Sequence, residues 1–170
     1  MKNGAITLVL AAATVALAAC GSDSTTTPPV SKIVNFKATL LPSNEVPATN
    51  SSGSGTFTAT LDTSTNIFTY DVAFSGLTTN VTLGHIHGPA LTTATASPVL
   101  NFASLPGATF TTGATSGTAH GQLTLTSATQ VTSSINGDSL KKLLFAGLTY
   151  ANIHTTANGG GEIRGQITKQ

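Results

Sequence analysis

The feature that most constrains this fold is a strict alternation of apolar and hydroxyl residues that begins near residue 33. Between Thr56 and Leu61 every second residue is apolar and the intervening residues are threonines. A later run places four large apolar residues at alternate positions, namely Phe68, Tyr70, Val72 and Phe74. A period of two is typical of half-buried β-strands. Only 8% of the chain is charged, so helix-forming Glu, Lys and Arg are scarce and the pattern predicts an all-β domain.

Turn-forming residues divide these alternating runs into short strands. Several short strands at this spacing predict a single antiparallel β-sandwich of the immunoglobulin-like or Greek-key type. One segment differs, because its leucines lie at helical spacing and predict one short helix over Asp138–Ala146. We expect Asp138 or Ser139 to cap this helix and Gly147 to end it.

The first twenty residues are typical of a bacterial export signal. Lys2 precedes a low-polarity run, Gly4–Ala19, that ends in small residues, as a signal peptide does. This run is shorter than the about 20 apolar residues that a membrane-spanning helix needs. Leu17-Ala18-Ala19-Cys20 resembles a bacterial lipobox, in which the cysteine receives a diacylglycerol and becomes the first mature residue. We therefore expect a signal peptide over 1–19, a lipidated Ser/Thr/Pro-rich tether over 20–32 and one folded domain over 33–169.

The lipobox also predicts where the mature protein resides. Two acyl chains on Cys20 give stable membrane anchoring, so we expect a protein of the cell envelope. Gly21 and Ser22 follow the cysteine, without the Asp that retains many lipoproteins at the inner membrane. The resemblance therefore implies the outer membrane, with the domain facing the periplasm or the cell surface.

Charge and cysteine content exclude several classes of function. A formal net charge of +1 provides no basic surface for phosphate backbones, so nucleic acid is excluded as a partner. Cys20 is the only cysteine, which excludes a disulfide framework and any metal site built from several cysteines.

Four short motifs in the remainder of the chain follow the order found in one domain family. They are Phe36–Leu40 with Asn44–Pro47, then Gly84–Pro89, Gly147–Thr155 and Gly161–Ile167. In these motifs the chain resembles the CHRD domain family, which is named for the repeats in chordin and also occurs in bacterial secreted proteins. The resemblance covers about 33–169. It implies an all-β domain and brings no established enzymatic activity, so it leaves the function open.

Strand parity predicts that all four histidines lie on faces turned away from the apolar core. His85 and His87 point outward together if Ile86 is buried, which requires a β-bulge at Gly84 to break the preceding alternation. His154 lies on the corresponding face of its own strand. We expect these three imidazoles within about 5 Å of one another, whereas His120 should stand apart.

Two interpretations of this histidine cluster remain open. Neutral imidazoles suit Zn or Cu better than Mg or Ca, so His85, His87 and His154 are candidate ligands of one transition-metal ion. The alternative is a polar cluster without metal, either a hydrogen-bonded structural unit or a site for an organic ligand.

Five further residues are candidates for a polar cluster around the histidines: Glu45, Tyr150, Asn152, Glu162 and Arg164. Glu162 and Arg164 are expected to form a solvated ion pair worth about 0–1 kcal/mol, with the orientation of a ligand or a histidine as the alternative. Arg164 should lie near the rim of the cluster and lower the pKa of neighbouring histidines. Glu45 is expected to cap a loop.

These observations favour a non-catalytic, lipid-anchored binding or surface module whose partner is an unknown protein or small ligand. The sequence carries no hydrolase elbow, Walker or dinucleotide-binding motif. An alternative is a mononuclear copper or zinc metalloenzyme, since Gly-His-Ile-His and the late Gly-Gly-Glu-Ile-Arg-Gly segment resemble superoxide dismutase, also a β-sandwich. Four histidines are fewer than the two-metal site of that enzyme uses. A purely structural envelope protein is the third hypothesis.

Overall fold

The computed structural model describes Met1 and residues 32–170. The predicted signal peptide, Cys20 and the tether up to residue 31 lie outside the described residues. Within the described part of the chain, no helix is both long and apolar enough to cross a membrane.

The described residues form two antiparallel sheets and one α-helix. The strands in chain order are β1 Ile33–Leu40, β2 Ser54–Asp62, β3 Ile67–Ser75, β4 Val81–His87, β5 Pro98–Asn101, β6 Thr109–Phe110, β7 Gly117–Thr124, β8 Tyr150–Thr155, β9 Ile163–Gln166 and β10 Thr168–Lys169, and the helix α1 is Gly137–Phe145. A 3₁₀ turn, Pro42–Asn44, follows β1. The larger sheet has the order β10-β1-β2-β3-β7-β6, and the smaller has the order β5-β4-β8-β9.

Both sheets contribute one face to a single apolar core. In the larger sheet the alternation places Phe57 opposite Val72 and Leu61 opposite Phe68 in the β2–β3 register, and all four are buried. The smaller sheet adds Ile86, Ala151, Ile153 and Ile163 to the same core. The predicted all-β sandwich with one short helix is therefore confirmed.

The sheets are joined at one corner by the chain that leaves β1. Leu41 donates its N–H to the carbonyl of Arg164 at 2.9 Å, and Arg164 donates back to the carbonyl of Leu41 at 3.2 Å. This reciprocal pair fixes the 3₁₀ turn and the following loop against β9.

The helix begins one residue earlier than expected and has a different cap. Asn136 is the N-cap, because its side-chain oxygen accepts from the N–H of Ser139 at 2.9 Å. The prediction of Asp138 or Ser139 as the cap was wrong, since both lie inside the helix. Gly147 has φ +66 directly after the helix, the left-handed conformation with which many helices end.

The bulge predicted at Gly84 lies slightly earlier in β4. The pairing of β4 with β8 shifts register between Val81 and Leu83, so Gly84 and Ile86 both turn toward the core. Gly84 is constrained by its contacts, since an added Cβ would lie 2.6 Å from Phe102 and 2.9 Å from Phe110. His85 and His87 therefore both point away from the apolar core, as the sequence predicts.

The outer face of the smaller sheet is polar and yet buried. Its side chains are His85, His87, Tyr150, Asn152, His154 and Arg164, each no more than 7% exposed. Loops after β1, β4 and β8 cover this face and accept or donate hydrogen bonds to it. The domain thus has an apolar layer between its sheets and a second, polar layer under these loops.

Candidate metal centre

Three histidines meet at the centre of this polar layer. One ring nitrogen from each of His85, His87 and His154 lies within 4.8 Å of the others. The shortest contact joins Nδ1 of His85 to Nε2 of His154 at 3.1 Å. The three rings are brought together because β4 and β8 are neighbours in the smaller sheet, which strand parity alone did not show.

Backbone carbonyls fix the orientation of two of these rings. Nδ1 of His87 lies 2.8 Å from the carbonyl of Ala96, and Nδ1 of His154 lies 3.0 Å from that of Gly159. A carbonyl oxygen only accepts, so both neutral rings carry their proton on Nδ1 and present the Nε2 lone pair to the cluster. Nε2 of His87 is buried and has no hydrogen-bond partner among the described residues.

The environment keeps these histidines neutral. Burial lowers the pKa of His85 to about 4, with further lowering by the charges that His154 and His87 would carry. Burial also lowers the pKa of His87 to about 4, against the Ala96 carbonyl, which raises it. The pKa of His154 is lowered by burial as well, although the carbonyl of Gly159 opposes this. Neutral imidazoles with free lone pairs are the form that ligates transition metals.

His120 stands apart from the cluster, as the sequence predicts. It lies on β7 of the larger sheet, where its Nδ1 is 2.8 Å from Oδ1 of Asp71 on β3. Both side chains are half exposed or more. The β3–β7 register places Asp71, which is distant in the sequence, directly opposite His120.

Tyr150 connects the histidines to Arg164. Its ring stacks on His87 with centroids 4.8 Å apart and planes 5° apart. The Arg164 guanidinium carbon lies 3.5 Å from the centroid of the same ring. Because β8 lies between β4 and β9, the imidazole and the guanidinium reach Tyr150 from opposite neighbouring strands.

The predicted solvated ion pair between Glu162 and Arg164 is wrong. Both side chains are buried, at 0% and 1% exposed, and among the described residues they form no ion pair with each other. Nη2 of Arg164 donates to the carbonyls of Leu91 and Ala94 at 3.0 and 2.8 Å. Its charge also contributes to lowering the pKa of His87, as expected from the sequence, though burial has the larger effect.

Glu162 serves as a hydrogen-bond acceptor for three loops. Its carboxylate accepts from Ser51 Oγ, Thr155 Oγ1, the N–H and Oγ1 of Thr78, and Asn158 Nδ2, at distances of 2.5 to 3.0 Å. Burial acts to raise the pKa of Glu162, but these hydrogen bonds outweigh it and lower the pKa to about 2. Glu162 therefore stabilises the loops around the polar layer rather than facing a ligand.

Glu45 is held by Asn152, the residue directly opposite His85 in the β4–β8 register. Nδ2 of Asn152 donates to both carboxylate oxygens at 2.9 and 3.2 Å. Burial raises the pKa of Glu45 to about 7, against the opposing effects of Arg164 and Asn152. Glu45 thus anchors its loop to the sheet through its side chain.

The residues that sequence analysis missed are the hydrogen-bond partners supplied by loops and by the last residue of β8. Ser51, Thr78 and Thr155 are three of many hydroxyl residues in the chain, and nothing in their spacing distinguishes them. The carbonyls of Ala96 and Gly159 belong to the backbone, so the residue types at these positions do not predict the contacts. Only Asp71 could have been identified from the sequence as a partner of His120, because each lies in an alternating run and the two runs pair as neighbouring strands.

The fold and the site together define a class, a β-sandwich domain with a buried three-histidine cluster on the outer face of its smaller sheet. The model of the CHRD domain family matches residues 36–167, which include every residue of this cluster. The chain belongs to the CHRD domain family, as its motifs suggested, and this membership supports a non-catalytic module. Neither the curated proteins nor the solved structures with which the chain was compared include a match.

Proposed function

We propose that this protein is a lipid-anchored binding module of the cell envelope that holds one Zn or Cu ion at His85, His87 and His154. The observation that carries the proposal is the convergence of three neutral, buried imidazoles, two of them with Nε2 turned inward by carbonyl contacts. Such outer partners are the usual support of metal-ligating histidines. The orphaned Nε2 of His87 is an acceptor that a metal ion would satisfy.

The distances fit a small rearrangement on metal binding. Zn–N bonds of 2.0–2.1 Å place ligand nitrogens about 3.3–3.6 Å apart. The pair formed by His85 and His154 is already at 3.1 Å, while the widest separation of 4.8 Å must shorten.

Binding without catalysis is favoured by the surroundings of the cluster. Among the described residues the neighbours are Tyr150, Asn152 and Arg164, which are held by stacking or hydrogen bonds. No pair of carboxylates adjoins the histidines in this part of the chain. A metalloenzyme is the second candidate, because three protein ligands leave a fourth position of a tetrahedral ion for water or substrate.

Metal titration of the purified, metal-stripped protein tests the proposal. We expect one Zn²⁺ or Cu²⁺ per chain by calorimetry and elemental analysis, and loss of binding in His154→Gln. His120→Gln is the matched control, since the same substitution outside the cluster should leave the stoichiometry at one. Equal binding by wild type and His154→Gln would refute the site. If the metal-loaded protein catalysed superoxide dismutation, its function would be that of a metalloenzyme and not of a binding module. Failure to bind either metal would favour a structural role.

The anchoring part of the proposal has its own test. Cys20→Ala should abolish globomycin-sensitive processing of the precursor and partitioning into detergent, because the thiol is the only acceptor for the diacylglycerol. Ser22→Ala is the matched control and should be processed normally. A Cys20→Ala protein that still matures and sediments with membranes would contradict the anchor without affecting the metal site.

A further inference from the structure

The three-histidine cluster offers a metal ion no negative charge. Its imidazoles are neutral, and among the described residues the group of potential ligands contains no carboxylate and no thiolate. An ion bound here therefore keeps its whole charge, because no ligand in this part of the chain neutralises it. Since the burial of an uncompensated charge is costly, the charge of the ion determines how well the site accepts it.

Arg164 adds a fixed positive charge beside the cluster. Its guanidinium carbon lies 3.5 Å from the ring centroid of Tyr150, and the ring centroid of His87 lies 4.8 Å from the same point. The side chain is 1% exposed, and Nη2 is held by the carbonyls of Leu91 and Ala94. Water therefore screens this charge little. Its effect reaches the cluster, because it contributes to lowering the pKa of His87.

The two buried carboxyl groups, Glu45 and Glu162, do not offset this charge at the histidines. Burial raises the pKa of Glu45 to about 7, which favours its uncharged form. Glu162 is ionised, but its carboxylate is occupied by five hydrogen bonds from surrounding residues. Among the described residues, neither carboxyl group raises the pKa of His85, His87 or His154. The field at the cluster is therefore positive before any ion binds.

We propose that this site selects monovalent copper, Cu(I), over Zn²⁺, and that the charge of Arg164 sets the preference. The inference rests on the proposed function, because it concerns the ion held by the same three histidines. A monovalent ion meets about half the repulsion from the guanidinium that a divalent ion meets, since the Coulomb energy is proportional to the product of the charges. Three nitrogen ligands also suffice for Cu(I), whereas Zn²⁺ is almost always four-coordinate. In the described part of the chain, His85, His87 and His154 are the whole group of potential ligands.

Anaerobic competition titration of the full, metal-stripped protein tests this preference. The affinity for Cu(I) is measured against bicinchoninate, and the affinity for Zn²⁺ against a fluorescent zinc chelator, both at the same neutral pH. We expect one ion per chain in each case and a Kd for Cu(I) at least tenfold below that for Zn²⁺. Equal affinities, or tighter binding of Zn²⁺, would overturn the preference while the metal site itself stood. Binding of neither ion would refute the proposed function and this inference with it.

Two variants of Arg164 separate its charge from its structural contacts. Arg164→Gln removes the charge and should lower the ratio of the Zn²⁺ Kd to the Cu(I) Kd at least tenfold. Arg164→Lys is the matched control, because it keeps the charge without the guanidinium and should retain most of this ratio. A purely structural role would weaken the binding of both ions alike, so an unchanged ratio in Arg164→Gln would refute the assignment to Arg164. His154→Gln should lose both ions, which shows that both Kd values belong to this site.

A second pair of ions tests the effect of charge without any variant. Ag⁺ and Cd²⁺ have the same number of electrons and differ by one unit of charge. In the wild-type protein, Ag⁺ should bind at least tenfold more tightly than Cd²⁺ in the same competition titration. Tighter binding of Cd²⁺ would overturn the selection of a monovalent ion, even if neither variant of Arg164 folded.

Discussion

Nδ1 of His85 lies 3.1 Å from Nε2 of His154, although the two residues are diagonal rather than opposite neighbours in the β4–β8 pairing. Because Nδ1–H of His154 donates a hydrogen bond to the carbonyl of Gly159, the Nε2 of that neutral ring can only accept. His85 must then donate its own Nδ1 proton. Ligation of a metal by Nδ1 of His85 would therefore require this proton to move to Nε2 of the same ring. Affinity should fall as the pH falls, because protons then compete with the metal for the imidazole lone pairs.

Metal binding should raise the melting temperature of the protein. A ligand at 100 times its Kd stabilises the folded state by about 2.7 kcal/mol, which corresponds to a shift of roughly 5–10 °C for a domain of this size. We expect this shift with Zn²⁺ or Cu²⁺ in wild type and in His120→Gln, measured by differential scanning calorimetry. A similar shift in His87→Gln would show that the stabilising ion binds elsewhere.

Acid should destabilise the metal-free protein between about pH 6.5 and pH 4. The pKa values of His85 and His87 are lowered to about 4 in the folded state, so in this window the unfolded chain binds protons that the folded chain does not. Linkage then lowers the free energy of unfolding as the pH falls. Because the raised pKa of Glu45 acts in the opposite direction, chemical denaturation at a series of pH values should show a net loss of roughly 3 kcal/mol. A flat profile would contradict the buried neutral cluster.

Glu45 should oppose this effect, which provides a control within the same molecule. Its pKa is raised to about 7, so between pH 4.5 and 7 the folded state holds a proton that the unfolded state has released. Glu45 therefore adds stability as the pH falls through this window. In Glu45→Gln the loss of stability on acidification should be steeper than in wild type, and an unchanged slope would show that this carboxyl group is not protonated in the fold.

Replacement of Glu162 should be costly although the side chain touches no proposed ligand. In Glu162→Gln an amide nitrogen would replace one carboxylate oxygen. It would then face either the donors from Ser51 and Thr78 or those from Thr78, Thr155 and Asn158. Losing charge-assisted hydrogen bonds and leaving buried donors unpaired should lower the free energy of unfolding by about 2–4 kcal/mol. Asp71→Asn, at an exposed acid, is the control and should change it by less than about 1 kcal/mol. Equal effects in the two variants would argue against the network.

Much of the fold could be predicted because alternation acts on each strand separately. The runs around Phe57 and Phe68 specify which side chains face inward, whatever the neighbouring strand is. Parity likewise placed His85, His87 and His154 on outward faces. It could not show that β4 and β8 are adjacent, since pairing between strands 69 residues apart depends on the whole topology.

The burial of the outer face was the main feature that the sequence did not reveal. An outward-facing Arg164 or Glu162 is ordinarily solvated, and a two-residue spacing on one strand is consistent with an exposed pair. Here loops fold over the face and supply carbonyls and hydroxyls as partners. Loop conformation depends on many such weak contacts, and residue periodicity carries no information about it.

A glycine in the larger sheet tests how tightly the apolar core is packed. Gly121 lies opposite Tyr70, and a Cβ added there would lie 2.3 Å from the tyrosine hydroxyl. That hydroxyl donates to the carbonyl of Phe102 at 3.1 Å and cannot move without losing this bond. Gly121→Ala should therefore lower the free energy of unfolding by about 1–3 kcal/mol. Gly159→Ala is the matched control, because an added Cβ meets no atom within 4 Å. Equal stability of the two variants would contradict the packing around Tyr70.

The stack of His87, Tyr150 and Arg164 also makes the domain its own optical probe. The chain has no tryptophan and two tyrosines, so its intrinsic fluorescence comes from Tyr70 in the apolar core and from Tyr150 in the stack. In a Tyr70→Phe background the emission would arise from Tyr150 alone, a ring in contact with a proposed metal ligand on one side and with the buried Arg164 guanidinium on the other. Quenching by Cu²⁺ could then be followed at one fluorophore without any added label.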